Sequence, residues 1–222
     1  MVTPAPILHD ISPPVSARTP VWPGDTPVSR EVLSQVDDGD SVTLSTLHGT
    51  VHVGAHADAP SHVVSGTASI DAVALAPYIG PCRVLTARVP ASGLIGPDDV
   101  DHAPVDDPTA ARVLIRTVAV DGAAADFDSE FAALDPALVD RLGTEGAVLI
   151  GVDTPSVDPV TSKDLPAHRS CIGAGIAILE GLDLRDVPDG AYELIALPLR
   201  LVGFDASPVR AVLRALPESM DA

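Results

Sequence analysis

With 222 residues, 31 acidic side chains against 13 basic ones and a formal charge of −18, the chain disfavours phosphate backbones as partners. Nucleic-acid affinity rests on lysine and arginine displacing counterions, and few are present. Hydrophobic residues make up 46% and charged residues 20%, which excludes disorder and predicts one domain spanning 1–222.

Residues 1–30 carry Pro4, Pro6, Pro13, Pro14, Pro20, Pro23 and Pro27, a density that excludes helix interiors and central strands, so an extended arm is expected. Short β-favouring runs bounded by Gly, Pro or Asp predict strands over 42–47, 82–89, 112–118 and 147–152. Asp135-Pro136 reads as an N-cap followed by a first-turn proline, predicting a helix over 137–142 that stops at Gly143. A second helix is predicted over 167–182, weakened by Gly173 and Gly175. Ser207-Pro208 repeats the cap-plus-proline signature before 209–216. The sum is a mixed α/β chain with more strand than helix and no internal repeat. No run approaches the ~18 apolar residues of a membrane span, and Met1–Pro14 has no basic-then-apolar leader. Cys82 and Cys171 lack paired spacing, so a cytoplasmic protein with both thiols in the core is expected.

The informative stretch is His52-Val-Gly-Ala-His56-Ala-Asp58-Ala-Pro-Ser-His62, with His48 just upstream; four of the seven histidines fall within these fifteen positions. Imidazole and carboxylate together are ligands for zinc and similar metals. On a helix, Asp58 would point ~160° away from His56. On a straight strand, His52 and His56 would stand ~13 Å apart, too far for one metal. Gly54 and Pro60 supply the bends that resolve this, predicting a kinked strand-to-loop segment around a metal. His48 is expected to be structural or to support a ligand from behind. A paired site needs donors from elsewhere. Glu180 sits in an apolar stretch where a carboxylate must be paired, coordinated or turned outward, and His168 is the sole histidine of the C-terminal half. Asp153 and Asp158 follow a buried-looking strand, although Asp before turns is ordinary capping.

The His52–His62 pattern resembles the metal signature of the cyclase family of metal-dependent hydrolases. The resemblance runs nearly end to end. It extends to the bacterial kynurenine formamidase (arylformamidase) branch through Asp10-Ile-Ser-Pro13, Trp22-Pro-Gly-Asp-Thr-Pro27, Gly151-Val-Asp-Thr-Pro-Ser-Val-Asp-Pro159 with Ser162-Lys163, Ile178-Leu-Glu-Gly181, Tyr192-Glu-Leu-Ile-Ala-Leu-Pro198 and the segment 205–214. It implies a swivelling β/β/α fold with an open barrel-like core flanked by helices. It also implies hydrolysis of N-formyl-L-kynurenine to L-kynurenine and formate, a step of tryptophan breakdown, by water activated at a binuclear metal centre. By the same resemblance His52, His56 and Asp58 bind a first zinc, Asp58 and Glu180 bridge to a second that His168 completes, and His62 carries protons. Trp22 joins the substrate pocket, and the chain forms a homodimer or higher homo-oligomer. Imidazole and carboxylate accept manganese as well as zinc, so the metal stays open. So do two other readings: a related hydrolase opening a cyclic amide such as isatin, and a non-catalytic metal-binding protein. The region 90–135 matches only loosely and is expected to be scaffold and surface.

Overall fold

The structure, a computed structural model, describes residues 8–90, 92–101, 107–117 and 127–216. In chain order its strands are β1 (Leu8–Asp10), β2 (Ser29–Ser34), β3 (Leu44–His48), β4 (His56–Asp58), β5 (Ile79–Thr86), β6 (Leu94–Ile95), β7 (Arg112–Arg116), β8 (Ala133–Leu134), β9 (Leu149–Val152), β10 (Ala177–Glu180), β11 (Gly190–Ile195), β12 (Ala206–Pro208) and β13 (Val212–Ala215). The α-helices are α1 (Pro136–Thr144) and α2 (Pro166–Ala174). Nine strands form a curled sheet in the order β1-β13-β11-β5-β7-β9-β10-β4-β12. Its centre, β5-β7-β9-β10, is parallel, and the strands outside it are antiparallel.

All four positions of β9 are buried, as a parallel strand covered on both faces requires. Alternation then sends neighbouring residues into two cores. Leu114, Leu149 and Leu179 pack with Ala57 on one face. Val113, Ile115, Ile150 and Ile178 pack on the other against Leu138 and Leu142 of α1 and Ala167 and Cys171 of α2. Both cysteines are buried free thiols. No helix among the described residues is long and apolar enough to cross a membrane.

Asp135 caps α1 as expected, its Oδ1 accepting from Ala137 N at 2.8 Å, although the helix runs on through Gly143 to Thr144. The strand expectations hold with shifted ends, and residue 118 lies outside the described residues. Two helix expectations fail. The helix expected over 167–182 ends at Ala174, where Gly175 turns left-handed (φ 73°), and the chain re-enters the sheet as β10. Ile176 and Ile178 favour that strand, and pairing with β9 and β4 outweighs the helical pattern. The helix expected over 209–216 does not form, because β12 pairs with β4 and β13 lies between β1 and β11. The Ser207 hydroxyl, instead of capping, donates to Pro208 O and accepts from Leu199 N.

The β2–β3 hairpin forms a separate two-stranded sheet and exposes Leu33, Val36, Val42, Leu44 and Leu47, the last at 71%.

Candidate active site

Strand register assembles the first part of the site. In the antiparallel β4–β10 pair, Glu180 stands opposite His56 and Ile178 opposite Asp58, so His56, Asp58 and Glu180 share the face that carries the helices. His52 reaches them because Gly54 turns the chain in the left-handed region (φ 57°), bringing the His52 and His56 rings to 5.2 Å between centroids. Gly181 is needed at the same bend: a Cβ there would lie 2.3 Å from Gly54 O. That carbonyl accepts from His56 Nδ1 at 2.9 Å, which leaves Nε2 for the centre.

The helix supplies the fifth group. Asp158 holds the start of α2, accepting from Ala167 N and His168 N at 3.0 Å each, and its Oδ2 also accepts from His168 Nδ1 at 2.7 Å. Capping was the expected role of Asp158, and the same carboxylate aims the imidazole. His168 Nε2 then lies 3.3 Å from both Asp58 Oδ2 and Glu180 Oε1. Glu180 Oε1 also accepts from Val157 N at 2.8 Å.

His52, His56, Asp58, His168 and Glu180 are thereby gathered on one spot, with His62 beside them, its ring 4.4 Å from His52 and 5.8 Å from His168. His48 stays apart, paired with Glu31 on the exposed hairpin. Asp205, which sequence reasoning did not single out, lies 3.0 Å from His52 Nε2 and 3.3 Å from His62 Nδ1. Only its place between the Gly203 turn and β12 hinted at it.

Among the described residues, Asp58 and Glu180 pair with histidines alone. Both carboxyl groups resist burial, yet His168 and His52 hold Asp58 well below the ordinary carboxylate range, and His168 and His56 hold Glu180 down. Burial opposes charge on the imidazoles, but Asp58 and Asp205 raise His52 to about 9, and Asp158, Asp58 and Glu180 raise His168 to about 12. A demand for cationic charge is thus built into the floor.

Divalent cations fit these donors. Ligand atoms of His52, His56 and Asp58 lie within 4.8 Å of one another, as do those of Asp58, His62 and His168. His56 Nε2 and Asp58 Oδ1 are buried with no hydrogen-bond partner, although both lie in ion-pair reach of oppositely charged groups. An orphaned imidazole nitrogen and carboxylate oxygen side by side are what a metal would satisfy.

The cluster floors a cleft of about 890 Å³. Trp22 lines its wall, 5.3 Å from Phe127 and 6.4 Å from Phe131 between ring centroids. Within 90–135, expected as scaffold and surface, Thr117, Phe127, Asp128, Glu130 and Phe131 line the cleft; residues 91, 102–106 and 118–126 lie outside the described residues. Asp153, expected as a turn cap, is buried on the cleft wall and accepts from Thr117 N and its hydroxyl at 2.9–3.0 Å.

The Cyclase family model matches residues 9–159. Among solved structures, a potential metal-dependent hydrolase with cyclase activity is 28% identical, with a TM-score of 0.79 over 96% of this chain and 100% of its own. A predicted metal-dependent hydrolase from Bacillus stearothermophilus is 29% identical, with a TM-score of 0.78 over 96% and 100%. Isatin hydrolase A from Ralstonia solanacearum, 22% identical with a TM-score of 0.73 over 95% and 92%, shares the fold.

Proposed function

Starting from a chain that belongs to the Cyclase family, we propose that it is a metal-dependent arylformamidase that hydrolyses N-formyl-L-kynurenine to L-kynurenine and formate in tryptophan degradation. The observation that carries this reading is the convergence of four buried donors, His56, Asp58, His168 and Glu180, with the half-buried His52 below an aromatic cleft wall. His52, His56 and Asp58 would hold a first zinc, Asp58 and Glu180 would bridge to a second, and His168 would complete it; manganese suits the same donors. When bound, such ions supply Lewis acidity, which polarises a carbonyl and eases deprotonation of water.

The protein's own side chains supply the rest. Water adds to the formyl carbon, the C–N bond breaks, and the anilide nitrogen leaves as an amine after taking a proton. His62 is placed to carry that proton. Its side chain is 32% exposed beside the buried donors, and Asp205 engages its Nδ1. Histidine is the side chain most often used for such a transfer. Asp158 fixes the ring of His168 and, with Val157 N on Glu180, keeps the floor in one geometry. Trp22 gives the aryl ring of the substrate an apolar surface.

We also place the chain in a homodimer. An isolated two-stranded hairpin is marginal in water, and this one exposes six large apolar side chains, Val32 among them, so a second copy is its natural cover. The free thiols Cys82 and Cys171 suit the reducing cytoplasm.

The test is formate release from N-formyl-L-kynurenine, with isatin assayed in parallel. Treatment with a chelator should abolish the activity, and zinc or manganese should restore it. Reloaded protein that releases no formate would overturn the assignment, and isatin opening in its place would move the substrate to cyclic amides.

A further inference from the structure

The chain contains only one tryptophan, two tyrosines and three phenylalanines. Three of these rings, Trp22, Phe127 and Phe131, meet edge to face, with Phe127 and Phe131 6.4 Å apart at an interplanar angle of 89°. They come from segments about a hundred positions apart in sequence, and all three line the cleft above the buried donors. None of them belongs to either hydrophobic core. Phe131 is buried, while Trp22 and Phe127 are half-buried. A plug joining the N-terminal arm to the body would be expected to bury all three rings; here two keep part of their surface towards the cleft.

We propose that Phe127 and Phe131 complete, with Trp22, an aryl-binding wall, and that Phe127 is a residue determining specificity for planar aromatic substrates over alkyl ones. The inference rests on the arylformamidase reading for its substrate class, and it assigns the selection to a segment that carries no metal-site residue. The physical basis is the ring quadrupole: edge-to-face and offset partners gain beyond their buried area, so a ligand ring beside Trp22 and Phe127 gains what an alkyl group of similar size does not. Phe131, buried behind them, fixes the angle at which the other two rings stand.

Trp22 reports on its own surroundings, because it is the sole tryptophan. Titration of the metal-loaded protein with acetanilide should shift its fluorescence saturably, and N-methylacetamide should leave it unchanged at the same concentrations. Phe127→Leu keeps apolar bulk and removes the ring. It should weaken acetanilide about 2–10-fold, the range expected for one aromatic pair, with metal content unchanged. In turnover, its kcat/KM should fall for N-formylaniline and hold for an N-formyl alkylamine.

Equal response to acetanilide and N-methylacetamide, or acetanilide affinity unchanged in Phe127→Leu, would overturn the wall even if formate release from N-formylkynurenine is confirmed. Selective acetanilide binding by a protein that releases no formate from any anilide would sink the arylformamidase reading and leave the wall standing. The two failures are therefore distinguishable.

Discussion

The cleft floor and the β2–β3 hairpin invert the ordinary partition of side chains in opposite directions. The floor buries Asp58, Glu180, His56 and His168, each at 5% exposure or less, whereas the hairpin holds Leu33, Val36, Val42, Leu44 and Leu47 out in solvent. Burying charge without compensation costs several kcal/mol per ion, and contiguous exposed apolar surface marks an interaction site. Each inversion therefore points to something added from outside the chain: cations in the first case, a protein surface in the second. The difference lies in precision. On the floor, register, a capped helix and two glycines fix donor atoms to fractions of a turn, while the hairpin offers only shape and oil.

The largest expected effect tests the floor. His62→Ala should lower turnover by ~10²–10⁴-fold with metal content unchanged, measured by formate release and elemental analysis. Because ligand atoms of Asp58, His62 and His168 lie within 4.8 Å of one another, loss of metal in that variant would make His62 a ligand instead of a proton carrier. Next in size is Asp158→Asn, which touches no substrate and acts through His168. Metal affinity should weaken ~10–100-fold in a competition titration, and an unchanged affinity would reduce Asp158 to a helix cap.

Asp153 sharpens the contrast between buried charge that has cationic partners and buried charge that has few. Burial pushes its carboxyl up to about 7 from 3.8, against the Thr117 amide and hydroxyl and the nearby Arg116. The folded value exceeds the unfolded one, so folding takes up a proton: the contribution is complete below pH ~4 and is lost as pH rises to about 7. The slope is on the order of 1 kcal/mol per pH unit. Asp153→Asn should remove it, so denaturation midpoints of variant and parent should diverge between pH 4 and pH 7. A constant gap would show that Asp153 stays ionised throughout.

The smallest effect on stability concerns the hairpin. Leu47→Lys should change the monomer's unfolding free energy by no more than ~0.5 kcal/mol, as at other surface positions, while light scattering shows dissociation to single chains. A monomeric parent protein would remove the partner from this half of the comparison.

Much of the floor was legible in the sequence because ligand types are rare and their spacing is informative. His52, His56 and Asp58 can meet only if the chain bends, and Gly54 and Pro60 mark where it does. Glu180 was legible as a ligand only through the family resemblance, and not as a buried strand residue, since the pattern over 167–182 is equally helical until Gly175 ends α2 and pairing with β4 and β9 claims Ala177–Glu180 for the sheet. The strands at 206–208 and 212–215 were hidden for the same reason: a cap-plus-proline signature is local, and sheet pairing is not. Phe127 and Phe131 gave no signal at all, because a ring's position on a cleft wall depends on which distant segment it meets.

Metal content before and after a single carboxylate change tests the account most directly. Purified protein, loaded with zinc and dialysed, should retain two ions per chain by elemental analysis, and Glu180→Gln, folded by circular dichroism, should retain fewer. A parent protein that keeps no metal, or a variant that keeps as much as the parent, would contradict the claim that the buried histidine–carboxylate floor is a metal centre.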